Sequence, residues 1–339
     1  MKSRVALLTG VTGQDGAYLC RDLLAAGWRV RGAVRPGADD ESLWRLYELG
    51  LETHPGLELE ELDLGEPLEC ENIVMGLKPT AIFHLAAISS VAEAFEAPIG
   101  ALRLAGNGCL NLLEPMRLCA PDARFVFASS AELFEAEHVD ESSRLSARHP
   151  YALAKLTGHA AIQAYRSSFL LHASNAILFN HESPLRDARF VTQKIVAAAA
   201  RASTGGSEVL ALGNLDVMRD FGYAPDYVAA MLAMALHAGP DDYVLATGVA
   251  TSIRDFASAV YAAAGIDLHW EGEGLNETAC DAQGVLRVRV DRALMRRVDA
   301  SVQRGDASRA RRELGFAPSL DIAGLARTML DAEMRRLAR

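Results

Sequence analysis

Cysteine is scarce and unpatterned: Cys20, Cys70, Cys109, Cys119 and Cys280 are an odd number, with no C-x-x-C pair and no histidine at zinc-ligand spacing. That excludes a disulfide framework and a zinc knuckle, predicts no bound metal, and makes each cysteine a small core residue of a reduced, cytoplasmic protein. Long apolar runs are missing as well. Nothing approaches a membrane-spanning helix, and the opening apolar stretch runs straight into glycines without a cleavage site, so it reads as a first strand and not a leader. Positive charge is also short, with 34 Lys and Arg against 44 Asp and Glu, a net charge of −10. This excludes the electropositive face that a nucleic-acid or membrane-surface binder needs. Any anionic ligand must instead be held by a few placed arginines and by backbone N–H groups.

The chain does have apolar material, half of its 339 residues, enough for two unequal lobes with their own cores. Its first half alternates short β-rich runs (5–8, 29–34, 57–62, 81–85, 124–128) with amphipathic ones (18–26, 41–49, 67–77, 104–118). Parallel strands joined by crossover helices give that pattern. The expectation is an α/β protein, a Rossmann-like doubly wound parallel sheet over 1–170. After about residue 170 the alternation weakens, and 180–189 and 271–284 read as loops. Residues 171–339 are expected to be mainly a smaller C-terminal substrate-binding lobe, with segments returning to the first sheet.

Gly10, Gly13 and Gly16 follow the first strand and open a helix. The G-x-x-G-x-x-G spacing, with Gln14 and Asp15 inside it, suits a turn that brings backbone close to a pyrophosphate at a helix N-terminus. At the end of the second strand an acidic residue favours NAD and an arginine favours NADP. Here it is Arg35, so the prediction is NADP over NAD, although Pro36 and the acidic run Asp39, Asp40, Glu41 follow it. Asp63 and Leu64 past the third strand and Leu85 at the end of the fourth complete the expected cofactor contacts.

Tyr151 and Lys155 stand four apart, on one face of a helix, where the lysine charge can lower the phenol's pKa and make it a usable base. Upstream, Ser129, Ser130, Ala131 and Glu132 end the fifth strand, at the sheet edge where such folds expose catalytic groups. Glycine turn, strand-end serine and Tyr–Lys helix, in that order, predict an oxidoreductase-type site.

With these residues in place the chain resembles the GDP-mannose 4,6-dehydratase family of extended short-chain dehydrogenases over nearly its whole length. The resemblance runs through TGVTGQDG at 9–16, ASSAELF at 128–134, PYALAKL at 150–156, FNHESPLR at 179–186, FVTQKI at 190–195, LGNLDVMRDFG at 212–222 and ATGV at 246–249, and on from 270 to 318. It implies that Tyr151 takes the C4 hydroxyl proton while hydride passes to the nicotinamide, that Lys155 tunes Tyr151 and holds the nicotinamide ribose, and that Ser130 bonds O4. Glu132 then abstracts the C5 proton and helps expel the C6 hydroxyl as water. Two positions depart from the family's pattern. Ala131 replaces a hydroxyl residue beside the base, and Pro36 and the acidic run follow Arg35, where the family usually carries a second arginine and serines.

The resemblance also places Asn180, Arg186, Lys194, Arg219 and Arg296 at substrate-binding positions, with Arg219 and Arg296 on the diphosphate, Asp299 by the nucleotide ribose, and Ser89 at the sugar. His181 is expected to be a structural hydrogen-bonding residue. The implied partner is a GDP-sugar, GDP-mannose first, in a homodimer or homotetramer. A GDP-heptose 4,6-dehydratase, a 4-epimerase, a 4-keto reductase and a non-catalytic NADP-binding regulator stand as alternatives.

Overall fold

Seven strands form one parallel sheet in the computed structural model, which describes residues 4–295 and 302–338. They are β1 (Val5–Thr9), β2 (Arg29–Val34), β3 (Leu57–Glu61), β4 (Ala81–His84), β5 (Arg124–Ser130), β6 (His172–Leu178) and β7 (Asp242–Leu245). Their spatial order is β7-β6-β5-β4-β1-β2-β3. The order reverses between β1 and β4, and in a doubly wound sheet a ligand sits at the carboxyl ends of the strands beside that reversal. The central strands are apolar on both faces, as a sheet covered by helices requires: Ala6, Leu7, Leu8, Ala81, Ile82 and Phe83 are fully buried. The edge strand β3 reads Leu-Glu-Leu-Glu-Glu, and Arg31 on β2 pairs with Glu58 at 2.7 Å and Glu60 at 2.6 Å. Charge along an exposed edge discourages pairing with another chain.

The chain divides into two compact units. The first holds Met1–Phe179, Pro225–Leu245 and Asp306–Ala317, and contains the whole parallel sheet. The second holds Asn180–Ala224, Ala246–Gly305 and Pro318–Arg339. Its core is built by the helices Val191–Ser203, Ile253–Ala263 and Ile322–Leu337, whose Ile195, Val196, Phe256, Val260 and Met329 are buried together. A three-stranded sheet (Ala250–Ser252, Met218–Tyr223, Asn180–Glu182) and a four-stranded one (His269–Glu271, Thr278–Cys280, Leu286–Val290, Leu210–Leu212) complete it.

Several boundaries differ from the sequence reading. The stretches 180–189 and 271–284, read as loops, contain the strands Asn180–Glu182 and Thr278–Cys280. Three residues show no period, and these strands exist because of distant partners, such as Arg289 for Thr278. The helix expected over 41–49 shrinks to Trp44–Glu48, because Asp39 and its neighbours form turns first: Asp39 Oδ1 accepts the Ser42 N–H at 3.0 Å. The helix expected over 104–118 begins as a wider π-helical turn, Leu102–Asn107, before Gly108–Cys119. Cys20, Cys70 and Cys109 are buried, whereas Cys119 and Cys280 are partly exposed, so only three of the five are core residues; all are free thiols. Burial pushes Cys20 and Cys70 up to about 12, out of the range of reactive thiols. Among the described residues no helix is long and apolar enough to cross a membrane.

One buried carboxylate pins β7 to its surroundings. Asp242 receives hydrogen bonds from Gln163 (2.7 Å), Arg166 (2.8 Å) and Asn175 (2.9 Å), with His159 at 3.6 Å. Burial opposes its charge, but the Arg166 hydrogen bond and the neighbouring positive groups outweigh that and hold the carboxyl below its ordinary range. Asp242→Ala removes a buried carboxylate and leaves the part-buried Arg166 guanidinium without its counter-charge, so it should lower unfolding free energy by about 3 kcal/mol. Urea denaturation at neutral pH measures this, and a loss under about 1 kcal/mol would contradict the network's role.

Candidate active site

At the end of β1 the chain turns through Gly10 into the helix Gln14–Ala25. Gly10 has φ +73°, and a Cβ there would stand 2.8 Å from the backbone nitrogen of Ala86. One on Gly16 would stand 2.0 Å from the Gly10 carbonyl oxygen. Both neighbours are backbone, so no side-chain movement relieves the clash. Gly13, the cap residue, has no side chain to place over the helix start, where the positive end of the helix dipole favours an anion. A cradle that any Cβ would fill, at a glycine-capped helix start, fits the pyrophosphate of a dinucleotide.

A pair that the sequence reading did not single out supports this turn. Thr9 Oγ1 accepts the Ala86 N–H at 3.3 Å, which leaves its own hydrogen for His84 Nδ1 at 2.8 Å. Burial, and then the Lys155 charge, lower His84 to about 3, so the ring is neutral at working pH.

Gln14 is buried and donates to Asp15 Oδ1 at 3.2 Å. Arg35 follows β2 and is exposed. The acids near it have partners of their own. Besides the Asp39 turn, Asp40 Oδ1 accepts the Tyr47 hydroxyl at 3.0 Å and Glu61 Oε1 accepts the Gly37 N–H at 3.1 Å. Asp63 turns the chain through the Gly65 N–H (2.8 Å) and pairs with Arg103 (3.0 Å). Leu64 is buried, and Leu85 extends β4 by donating its N–H to the Thr9 carbonyl at 3.3 Å.

The carboxyl end of β5 meets the start of the helix Pro150–Phe169. Ser130 Oγ accepts the Glu132 N–H at 3.2 Å, and the Tyr151 hydroxyl donates to it at 3.5 Å. One turn further along, buried Lys155 donates from Nζ to the Ala128 carbonyl at 2.6 Å and lies 5.2 Å from the Phe127 ring centroid. Burial lowers its pKa to about 8, with the Asp15 carboxylate of the glycine turn opposing that shift. Ser130, Glu132, Tyr151 and Lys155 are therefore neighbours. Ala131 is itself buried, at 4% exposure.

His149, also passed over in the sequence, joins them. Its Nδ1 accepts the Ala152 N–H at 3.2 Å, its Nε2 lies 3.3 Å from Glu132 Oε2, and its ring stacks near Tyr151. The available signal was Pro150: proline favours the first helical position, which makes the residue before it the cap.

The residues assigned to substrate divide between the units. Ser89 is exposed after β4, in the first unit, and its neighbour Ser90 caps the helix Val91–Glu96. Asn180, Arg186, Lys194 and Arg219 lie in the second. Arg186 pairs with buried Glu182 at 3.0 Å and stacks on Phe190 at 3.6 Å, Lys194 is exposed, and Arg219 is buried with Nη1 donating to the Met218 carbonyl at 2.9 Å. Next to it, Asp220 holds the loop after β7 by accepting from the Thr247 and Gly248 N–H groups at 2.8 and 2.7 Å. His181 is buried in its strand. Arg296 and Asp299 lie outside the described residues.

Buried Lys155 makes a pH-dependent prediction. Because its folded pKa, about 8, is below the ordinary 10.5, the unfolded chain binds the extra proton between those values, and stability from this group rises as pH increases through that window. The penalty for burying the charge is fully present below pH 8. Lys155→Met removes it, so the stability of the variant relative to the wild type should be more favourable at pH 7 than at pH 10. Paired denaturation curves read the difference, and a gap that stays constant or widens at alkaline pH would contradict the assignment.

The family model for GDP-mannose 4,6 dehydratase matches residues 7–329. The GDP-mannose 4,6-dehydratase of Sinorhizobium fredii (strain HH103) is 39% identical over 342 residues, covering 98% of this chain and 97% of that protein. Among solved structures, a putative epimerase from Burkholderia cenocepacia J2315 has a TM-score of 0.79 at 25% identity, covering 98% of this chain and 99% of that one. RMD from Pseudomonas aeruginosa, complexed with NADPH, has a TM-score of 0.75 at 24% identity, over 98% of this chain and all of that one, and shares the fold. On the family model and the curated relative, the chain belongs to the GDP-mannose 4,6-dehydratase family.

Proposed function

We propose that Ser130, Glu132, Tyr151 and Lys155 carry out the 4,6-dehydration of a GDP-sugar, GDP-mannose first, with NADP as the cofactor. The observation that carries this reading is the meeting of Tyr151 and Glu132 around one strand-end hydroxyl, Ser130. An oxidation alone needs the Tyr–Lys pair. A carboxylate beside it supplies the second base that elimination needs.

The glycine turn, Lys155 and Arg35 would hold the nicotinamide dinucleotide, which would supply a hydride acceptor for C4 and a hydride donor for C6. Tyr151 takes the C4 hydroxyl proton, and Ser130 hydrogen-bonds O4 of the ketone. The ketone acidifies the C5 proton. Glu132 removes it and hands it to the C6 hydroxyl, which leaves as water, and the Tyr151 hydroxyl returns a proton to C5 as hydride reaches C6. Asn180, Arg186, Lys194 and Arg219 of the second unit bind the nucleotide and its diphosphate, for which fixed guanidinium groups suit a strongly negative ligand in a net-negative chain.

NADP is preferred here because Arg35 is exposed at the end of β2, while Asp39, Asp40 and Glu61 are committed to nearby N–H and O–H donors. A Pseudomonas protein of the same fold was solved with NADPH. The free thiols fit a cytoplasmic setting, and apolar Leu153 and Phe169, about half exposed on the Tyr–Lys helix, fit a homo-oligomer.

Two measurements test the reading. Glu132→Gln keeps the shape but removes the base, so with GDP-mannose it should still reduce the cofactor, seen by near-ultraviolet absorbance, while water loss falls by about 10²–10⁴-fold. Tyr151→Phe should stop both. Water loss by Glu132→Gln at the wild-type rate would overturn the role given to Glu132. For the cofactor, Arg35→Ala should raise the Kd of NADP about tenfold more than that of NAD, as expected for one lost charge-assisted contact of about 1.5 kcal/mol. Equal weakening of both would make Arg35 only surface charge.

A further inference from the structure

The side chain of Glu132 is about a third exposed, and the residue against it, His149, is almost fully buried at 8%. The imidazole has two contacts that together fix its proton. Nδ1 accepts the N–H of Ala152, as a helix cap does, at 3.2 Å. A nitrogen that accepts cannot also carry the hydrogen, so the neutral ring is protonated on Nε2, and that N–H is the one directed at Glu132 Oε2, 3.3 Å away. The ring is held between two aromatic neighbours, Tyr151 at 6.2 Å and Phe95 at 6.1 Å between centroids. Ser130 meanwhile holds the backbone N–H of Glu132. Main chain and carboxylate of the same residue are therefore gripped by different elements, β5 and the cap of the Tyr–Lys helix.

We infer that His149 is a positioning residue for the elimination step: its Nε2–H fixes one oxygen of Glu132 and so sets the direction in which the carboxylate meets the C5 proton. His149 is too buried to meet substrate, and its second nitrogen is occupied by the helix. Its effect passes through Glu132, and the inference rests on Glu132 being the C5 base. A carboxylate left to rotate spends little time in reacting geometry, and small misplacements of a reacting group carry large rate penalties. The histidine also couples the two halves of the reaction, since one ring caps the helix that presents Tyr151 and orients the group that acts after it.

Asparagine is a good helix cap but ends one bond short of the position of Nε2, so His149→Asn separates capping from the contact with Glu132. The variant should melt within a few degrees of wild type and, in a single turnover with GDP-mannose, reduce the cofactor at nearly the wild-type rate. Water loss and solvent-deuterium entry at C5 should fall about tenfold or more, with KM unchanged. His149→Ser, another cap without the donor, should give the same split. Glu132→Gln combined with His149→Asn should be no slower than Glu132→Gln alone, because the two act as one unit. In the wild type, nitrogen-15 spectra of the imidazole should show the hydrogen on Nε2.

Normal elimination by both cap variants, a parallel fall of oxidation and elimination, or a ring protonated on Nδ1 would each overturn the inference while leaving the role of Glu132 intact. Unimpaired elimination by Glu132→Gln would instead remove the base assignment, and this inference with it.

Discussion

The site depends on one buried hydrogen bond, from Lys155 Nζ to the carbonyl of Ala128 at 2.6 Å. It ties the Tyr–Lys helix to the last turn of β5, two residues before Ser130. The approach is close because Gly158 lets it be: a Cβ there would stand 2.5 Å from the Phe127 ring. A glycine inside a helix costs about 1 kcal/mol, and burying an ammonium lowers its pKa at a further cost. The fold tolerates both. In return, Tyr151 reaches Ser130 and His149 reaches Glu132, so a strand end and a helix start become one chemical unit.

The glycine turn is joined to the same unit by charge. Asp15, from the first turn of its helix, opposes the shift that burial imposes on Lys155. Thr9 and His84 brace the turn from β1 and β4, and the Lys155 charge in turn helps to keep His84 neutral. The glycine turn and the Tyr–Lys helix thus share an electrostatic environment although more than a hundred residues separate them in sequence. This is economical in a chain with a net charge of −10, where each cation near an anionic ligand has to be placed.

What was legible in the sequence was what has a local physical cause. The strand Arg29–Val34 and the helix Pro67–Leu77 are legible to the residue, because apolar spacing and a proline at the helix start are written in the segments themselves. Tyr151 and Lys155 share a face because a helix turns every 3.6 residues. The short strands Asn180–Glu182 and Thr278–Cys280 look like loops in the sequence because only their distant partners make them strands. His149 was invisible as a partner of Glu132 for the same reason: the contact spans seventeen residues and depends on how a loop returns. The Asp242 network, which collects side chains from one helix and β6, had no sequence signal at all. Local propensity shows elements, and the contacts between elements need the fold.

The central claim is that this arrangement eliminates water, beyond oxidising a sugar reversibly. It is tested most directly by incubating the wild-type protein with GDP-mannose and NADP in heavy water and following the sugar by mass spectrometry and proton NMR. The account predicts a product lighter by one water, with a 4-ketone, a C6 methyl group and deuterium from solvent at C5. Recovery of a sugar of unchanged mass, with C4 inverted or with no change, would contradict it.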